Sequence, residues 1–337
     1  MNSRYATAAL LCAVLLVVPL ARAATLKVAA VAPDGTTWMK EIRAGGKRIS
    51  ELTEGRVKLK FYPGSVMGND QSVLRKIRVG QLQGGVFTGG ALGQVDPNTY
   101  VYNLPMLFLG LEEVHYVRER VDDAIRDSLA DNGMIAVGFG DGGLAYVMLS
   151  EPAASLEQLR QRKVWIPEGD PITAKVFELG GINAVPLPIS DVYTGLQTGL
   201  LDTVTTTPTA AIAFQWHTRI NYIIDYPLGY VNGYLLLSKK AFARLSEGDQ
   251  QIVRDVMRDV FVRLDEYSEK DNRNALQALL ANGVKLIELS VEEKQRWQEI
   301  AALGIEHAVS EGQVSEDIWR EVEQHITAFR SQAKARD

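Results

Sequence analysis

The chain has 337 residues, of which 36 are basic and 41 acidic, so its formal net charge is −5 at pH 7. An acidic balance with both signs interspersed argues against nucleic acid as a partner and against a polybasic membrane patch. The single cysteine, Cys12, has no partner for a disulfide within the chain.

The first 23 residues have the pattern of a secretory signal peptide. Arg4 supplies a positive charge, residues 8–20 are apolar, and residues 21–23 (Ala-Arg-Ala) form a small-x-small cleavage site. The alternative is a membrane anchor, but the apolar run is too short for a comfortable span. We predict cleavage after Ala23 and an exported protein. Two basic residues and Cys12 leave with this segment, so 34 basic residues remain against 41 acidic ones and the mature charge is −7.

The first part of the mature chain alternates strands with helices. Strands are predicted at 26–32, 57–62 and 84–88, and helices at 38–53 and 70–79. This βαβαβ order indicates a mainly parallel sheet covered by helices. Because ligands gather at the carboxyl ends of such strands, the order nominates the loops after Ala32 and Phe87.

Later segments continue the α/β pattern and end in long helices. From Ser246, with Asp249 placed nearly as in a capping box, one helical pattern continues to Asn282. At 1.5 Å per residue this helix would span about 50 Å, enough to bridge two lobes. Other helices are predicted at 112–132, 290–311 and 315–333, and strands at 135–139, 144–149, 163–166, 184–187, 201–204, 220–225 and 234–238.

Two glycine-containing segments need separate interpretation. Residues 138–143 (GFGDGG) have the GxGxxG spacing, but a strand rather than a helix follows, which favours a flexible crossing between domains over a dinucleotide loop. In residues 186–208, Ser190 is a candidate helix cap, Gly199 a helix end and 201–204 a short strand. The threonines that follow would present hydroxyls at a sheet edge, although an ordinary αβ connection is the alternative.

The sequence contains no HExxH, GxSxG, P-loop or CxxC motif. The four histidines are far apart, and none has metal-ligand spacing. The partial exception is His217, which follows Trp216 and lies shortly after the threonine-rich segment. No carboxylate pair stands out as acid and base. This pattern favours binding over turnover, without a cofactor or a metal site.

Five segments carry motifs in a constant order. They are VKLKFYPGSVMGNDQSVLRKIRVGQL (57–82), NLPMLF (103–108), SLEQLRQRKVWIP (155–167), DVYTGLQTGLLDTV (191–204) and LSEGDQQIVRDV (245–256). Together they resemble the DctP-type solute-binding receptors of TRAP transporters. No single segment is specific, but order and spacing hold from Leu26 to about Asn282.

The resemblance implies an α/β, two-lobed periplasmic binding protein, a type II-like clamshell. Each lobe would have its own sheet, and the long helix would span both. We assign residues 24–146 and 233–262 to lobe I, and residues 147–232 and 263–337 to lobe II. A small molecule, usually an organic acid, would bind between the lobes and pass to an ion-driven TRAP-type membrane permease.

The sequence departs from the family where the ligand carboxylate is usually clamped. Trp165 stands in place of one family arginine, and no arginine lies near Ala145 and Tyr146, where a second would align. Burying a carboxylate there without a cation would be costly, so we predict a ligand less anionic than is usual. Trp165 would either pack in the core or stack on an apolar or cationic ligand. The predicted ligand-binding residues are Phe87, Thr88, Tyr146, Trp165, Ile189, Thr205, Thr206, Thr207 and Trp216.

The resemblance also names partners and rivals. Residues 215–218 (QWHT) are similar to a segment of receptors that work with a separate TPR-repeat periplasmic protein, which makes such a protein a candidate partner. One rival is a ligand sensor or scaffold that keeps the clamshell but docks to a signalling protein. The other is a periplasmic enzyme, which would need a nucleophile or metal site that the sequence does not show.

Overall fold

The computed structural model describes residues 23–334. The predicted signal peptide, apart from Ala23, lies outside the described residues. No helix within 23–334 combines the length and apolar character needed to cross a membrane.

Within this range the strands form one mixed sheet. The strands are β1 (Ala24–Ala30), β2 (Val57–Tyr62), β3 (Gly84–Thr88), β4 (Met134–Leu149), β5 (Val164–Pro167), β6 (Ala184–Leu187), β7 (Thr203–Thr206), β8 (Tyr222–Ser238) and β9 (Lys285–Ile287). Their order in the sheet is β2-β1-β3-β8-β4-β7-β5-β6, and β9 pairs with β8 off this path. The strands β1–β3 and β5–β7 pair in parallel, whereas β8 is antiparallel to β3 and β4, and β4 is antiparallel to β7.

The helices cover both faces of this sheet. Short 3₁₀ turns at 89–91, 97–103, 189–191 and 216–219 lie between strands and helices. The helices are α1 (Thr37–Leu52), α2 (Asp70–Arg78), α3 (Leu111–Asp131), α4 (Leu156–Leu159), α5 (Pro171–Gly180), α6 (Val192–Thr198), α7 (Pro208–Ala213), α8 (Lys239–Phe242), α9 (Glu247–Ala281), α10 (Val291–Ser310) and α11 (Glu316–Lys334).

Two long antiparallel strands, β4 and β8, run through the middle of the sheet. The sequence predicted each as two short strands, with a flexible crossing at 138–143. That prediction is wrong locally, because residues 138–143 stay paired with β8 through several bulges. Gly143 has φ +106°, a conformation that suits glycine, so the strand can bend without giving up its backbone hydrogen bonds. One continuous sheet therefore replaces the two separate sheets that were expected.

Four buried clusters divide the structure into two lobes. In the first lobe, α1 and the start of α9 cover one face of the sheet, and α3 and α11 cover the other. In the second lobe, α6 and α7 cover one face, and α5 and α10 cover the other. The described chain is thus a two-lobed α/β clamshell joined by β4, β8 and α9. The helix α11 packs on α3 of the first lobe, although the sequence assigned it to lobe II with the rest of 263–337.

The long helix α9 touches both lobes, as predicted. Ser246 caps it by accepting a hydrogen bond from the Asp249 amide at 3.1 Å. Phe261 lies in a first-lobe core, and Leu279 lies in a second-lobe core. Between them, Asn272 Nδ2 donates to the Gly142 carbonyl at 2.9 Å, and Asn272 Oδ1 accepts from the Thr209 amide at 3.2 Å. The middle of α9 is therefore tied to β4 and to α7.

Residues 186–208 differ in detail from the prediction. Ser190 lies in a 3₁₀ turn and does not cap α6, because its hydroxyl donates to Asp191 instead. Gly199, at φ +73°, ends α6 as expected. The strand β7 begins at Thr203, so Thr205 and Thr206 belong to the strand rather than to a loop. Thr207 caps α7 by accepting from the Ala210 amide at 3.2 Å.

Candidate functional site

A cavity of about 380 Å³ lies between the two lobes. The loop after β1 and the end of β3 form part of its first-lobe wall, so both loops nominated from the sequence lie there. The start of α2 completes that side. The loop after β5, the end of β7 and α7 contribute from the second lobe, and β8 and the middle of α9 contribute from the connection between the lobes.

Most of the predicted ligand-binding residues lie on this wall. Tyr146 and Trp216 do not. Alternate residues of a strand face opposite sides, so Ala145 of β4 lies on the wall whereas Tyr146 packs against a second-lobe core. Trp216 is only 1% exposed and lies in that same core. The predicted residues on the wall are Phe87, Thr88, Trp165, Ile189, Thr205, Thr206 and Thr207.

Trp165 packs in a second-lobe core, one of the two roles that the sequence left open, and it also lines the cavity. It is 6% exposed and meets Trp216 edge-on, with ring centroids 5.2 Å apart. Its Nε1 donates to the Leu187 carbonyl at 2.9 Å, so its polar atom is satisfied within the second lobe. It also lies on the cavity wall, beside Phe214, which stacks on Trp216. Trp165 is therefore a packed core residue that contributes to the cavity surface.

The wall is acidic. Among the described residues that line the cavity there is no lysine, arginine or histidine. Both lobes and α9 contribute acidic residues to the wall. They are Asp70, Glu168, Asp170 and Asp271. The arginine-free pocket predicted from the sequence thus also carries negative charge.

Three of these carboxylates have partners. Asp170 caps α5, since it accepts from the Thr173 amide at 3.0 Å and from the Thr173 hydroxyl at 2.6 Å. Asp271 accepts from the Thr37 hydroxyl at 2.7 Å, which links α9 to the start of α1. Glu168 accepts from Asn69 Nδ2 at 3.2 Å. Burial raises the pKa of Asp170, while the bonds from Thr173 lower it in part.

Asp70 is the exception. Its Oδ1 atom is buried and has no hydrogen-bond partner. Burial raises the pKa of Asp70 to about 6. Asn103, Thr205 and Thr209 also line the cavity, and each has a buried side-chain oxygen without a partner. Since a buried polar atom without a partner is costly, such atoms on a cavity wall are candidate contacts for a ligand.

Several wall residues were not predicted from the sequence. Asn69 and Asp70 could have been predicted, because they stand at the start of a helix that follows a Pro-Gly turn. Side chains at such a position can face a bound ligand. Asn103 and Asp271 carry no comparable signal. They reach the wall through the packing of a 3₁₀ turn and of the middle of α9. Trp38, in the first turn of α1, also lines the cavity, but the sequence predicted it only as part of a helix.

Contacts between the lobes close one side of the cavity. The Tyr100 hydroxyl of the first lobe donates to the Gly169 carbonyl of the second at 3.3 Å. The Asn69–Glu168 hydrogen bond joins the same loop after β5 to the start of α2. Both contacts are to the segment 167–170, so this loop is the second lobe's closing edge.

A buried ionic network lies behind the cavity at the lobe junction. Arg118 of α3 donates to Asp141 of β4 and, at 3.1 Å, to Asp265 of α9. Tyr230 lines the cavity with its ring, while its hydroxyl donates to Asp141. His115 also bonds Asp141, and this hydrogen bond raises the pKa of His115. The guanidinium of Arg118 is therefore committed to carboxylates outside the cavity wall.

A family model for bacterial extracellular solute-binding proteins, family 7 (DctP), matches residues 28–310. The match spans most of the chain and includes every wall residue of the cavity. The chain therefore belongs to this family of solute-binding proteins, which confirms the resemblance inferred from its segments.

Relatives and solved structures agree with this assignment. A solute-binding protein of Chromohalobacter salexigens is 26% identical over 261 residues, 77% of each chain. The C4-dicarboxylate-binding periplasmic protein DctP of Rhodobacter capsulatus is 25% identical over 269 residues, 76% of this chain and 79% of that one. The sugar acid binding protein DctPAm from Advenella mimigardefordensis, in complex with galactonate, superposes with a TM-score of 0.84 at 20% identity and covers 91% of this chain and 99% of that one. These likenesses show the two-lobed fold.

Proposed function

We propose that this solute-binding protein captures a small organic molecule between its lobes and delivers it to an ion-driven TRAP-type membrane permease. The observation that carries the proposal is the cavity between the lobes, whose wall is shared by both lobes and by the elements that join them. A ligand that contacts both lobes stabilises the closed arrangement by its greater affinity for that state. The permease then recognises the closed receptor.

Binding without turnover is part of the proposal. The described residues contain no cluster of His, Cys, Asp or Glu that could hold a metal ion. The cavity wall between 31 and 272 has no histidine, lysine or cysteine beside its hydroxyls, so no threonine or serine there has an evident general base of that kind. The wall is suited to holding a ligand rather than to transforming it.

Export and lobe boundaries also belong to the proposal. The pattern of residues 1–23 supports cleavage after Ala23 and a periplasmic location, as in relatives described as periplasmic. The lobe cores support residues 24–146 and 233–262 as lobe I, and 147–232 with the remainder from 263 as lobe II. The packing of α11 on α3 supports assigning residues 316–334 to lobe I instead of lobe II.

A TPR-repeat partner is supported by the sequence of 215–218 alone. The burial of Trp216 takes that side chain out of any docking surface. Such a partner would have to recognise the surrounding exposed residues. The membrane permease is the partner that family membership supports.

Small-angle X-ray scattering tests the proposed function. The mature protein, dialysed free of solute, is measured with and without a concentrated low-molecular-weight extract of cells that produce it. The expected result is a smaller radius of gyration with extract, and recovery of the bound solute chemically unchanged. A chemically altered solute would support the enzyme rival. If a reconstituted permease transports the solute equally well without this receptor, the ligand-sensor rival is supported.

A further inference from the structure

The charge of the cavity wall constrains the ligand. Four carboxylates and, among the described wall residues, no basic side chain line the space between the lobes. Charges interact more strongly in such a space than in water, because the protein lowers the effective dielectric constant. An anionic ligand would add a further negative charge without a compensating cation. A positively charged ligand would instead supply the charge that the wall lacks.

Asp70 is placed to receive that charge. Its Oδ1 is buried in the wall without a hydrogen-bond partner. The charged groups that share the cavity from the facing loop are Glu168 and Asp170, and from α9 Asp271. All three are acidic, so they do not neutralise Asp70. A ligand donor would therefore complement the carboxylate of Asp70, which lines the cavity, and a protonated amine offers up to three donors.

The aromatic part of the wall decides what surrounds the charge. Trp38 and Phe87 line the cavity from the first lobe, Trp165 and Phe214 from the second, and Tyr267 from α9. Aromatic faces attract cations and cover apolar groups. Polar side chains such as Thr206 and Asn103 are present, but most of the wall surface is apolar, so it suits an apolar body better than a polyol. An ammonium group on an apolar body fits both parts of the wall.

We infer that the solute of this receptor is an organic cation, a protonated amine on an apolar body, held by Asp70 and the aromatic wall. The inference rests on the proposed receptor function. It sets this chain apart from structural neighbours such as the Desulfovibrio salexigens protein with bound orotic acid.

A matched series of small probes tests the inference. Butylammonium, 1-butanol and butyrate share one skeleton and differ in charge, and each fits a cavity of about 380 Å³. Calorimetric titration of the dialysed mature protein is expected to show that butylammonium binds about tenfold more tightly than butyrate. The affinity of 1-butanol should lie between them. Equal affinities, tighter butyrate or no binding of butylammonium would each overturn the inference.

Two variants locate the charge effect. Asp70→Asn should weaken butylammonium about tenfold and leave 1-butanol nearly unchanged, because the amide keeps the shape but loses the charge. Asp123→Asn is the control, since the side chain of Asp123 is 94% exposed and lies outside the cavity. An Asp70 variant with unchanged ammonium affinity would remove Asp70 from the site. Weakening of both probes by equal factors would indicate a structural role and would equally contradict the assignment.

The identity of the natural solute separates this inference from the receptor proposal. If the solute extracted from closed, compact protein is a carboxylate or a neutral polyol, the receptor function stands and the cation inference fails. If the protein neither compacts with extract nor retains any solute, the receptor function itself fails.

Discussion

At the residue scale, Trp165 shows how one side chain can both build a core and shape a binding wall. Its indole nitrogen is bonded to Leu187, and its ring is held edge-on by Trp216. A side chain fixed in this way presents a preformed surface to a ligand, so little freedom is lost on binding.

Truncation of Trp165 should destabilise the protein. Trp165→Ala leaves a large cavity and is expected to lower the free energy of unfolding by about 3–5 kcal/mol. Trp165→Phe keeps a ring against Trp216 but leaves the Leu187 carbonyl unpaired, so a smaller loss of about 1–3 kcal/mol is expected. Urea unfolding followed by far-UV circular dichroism measures both. Equal stability of the alanine variant and the wild type would contradict this packing.

Asp70 should give the ligand-free protein a recognisable pH dependence. Burial raises its pKa from 3.8 to about 6 in the folded state. Between these values the folded protein holds a proton that the unfolded chain has released. The contribution of Asp70 to the free energy of unfolding therefore falls as pH rises through this window and is constant above it.

Replacement of Asp70 isolates that contribution. Ligand-free Asp70→Asn should be more stable than the wild type at pH 7, and the advantage should shrink as pH falls towards 4. Urea unfolding of the dialysed variant and wild type at pH 4.5, 6 and 7.5 measures the difference in their free energies of unfolding. The contributions of other titrating groups largely cancel in this difference. A constant difference across the series would show that Asp70 is ionised in the folded protein throughout.

At the element scale, the junction of β4, β8 and α9 holds the lobes together. Gly138 of β4 lies directly under Phe261 of α9, so that a Cβ atom there would come within 1.9 Å of the ring. This close approach lets α9 lie flat on the strand. The strand can then pass from one lobe to the other under a continuous helix.

Adding a methyl group at this contact should be costly. Gly138→Ala is expected to lower the free energy of unfolding by about 1–3 kcal/mol, because Phe261 must move out of a buried core. Gly248→Ala is the matched control. Gly248 is exposed in the first turn of α9 and a Cβ there meets nothing within 4 Å, so alanine should stabilise by up to about 1 kcal/mol. Chemical unfolding of both variants decides, and a neutral Gly138 variant would contradict the packing.

Local sequence patterns predicted most elements but not how they join. The cap at Ser246 and the uninterrupted periodicity after it gave the long helix nearly to the residue. The glycines at 138–143 concealed a continuous strand, because pairing with β8 depends on residues about 90 positions away along the chain. The same limit applies to the site. Thr205 to Thr207 could be predicted from a strand end, whereas Asn103 and Asp271 enter the cavity only through tertiary packing.

At the scale of the whole molecule, closure depends on contacts that exist only when the lobes meet. The hydroxyl of Tyr100 reaches the Gly169 carbonyl across the cleft, while its ring is buried in the first lobe. Because the bond joins two lobes, its loss should affect the closed state more than the open one. The bond is thus expected to contribute to ligand affinity without touching the ligand.

Removal of this hydroxyl should weaken binding moderately. Tyr100→Phe keeps the buried ring and is expected to raise the dissociation constant of the co-purified solute about two- to tenfold, the range for one hydrogen bond. Calorimetric titration measures the change, and Tyr62→Phe in β2, outside the cavity wall, serves as the control. An unchanged constant for Tyr100→Phe would show that the contact does not contribute to closure.

A native mass spectrum shows whether the cavity between the lobes holds a small solute. The mature protein is released gently from the periplasm and measured under native and denaturing conditions. The expected result is a reproducible excess mass, lost on denaturation, that corresponds to one small molecule per chain and fits a cavity of about 380 Å³. The protein for this comparison comes from cells grown with the extract that should contain the solute. Identical native and denatured masses would then show that the cavity holds no solute.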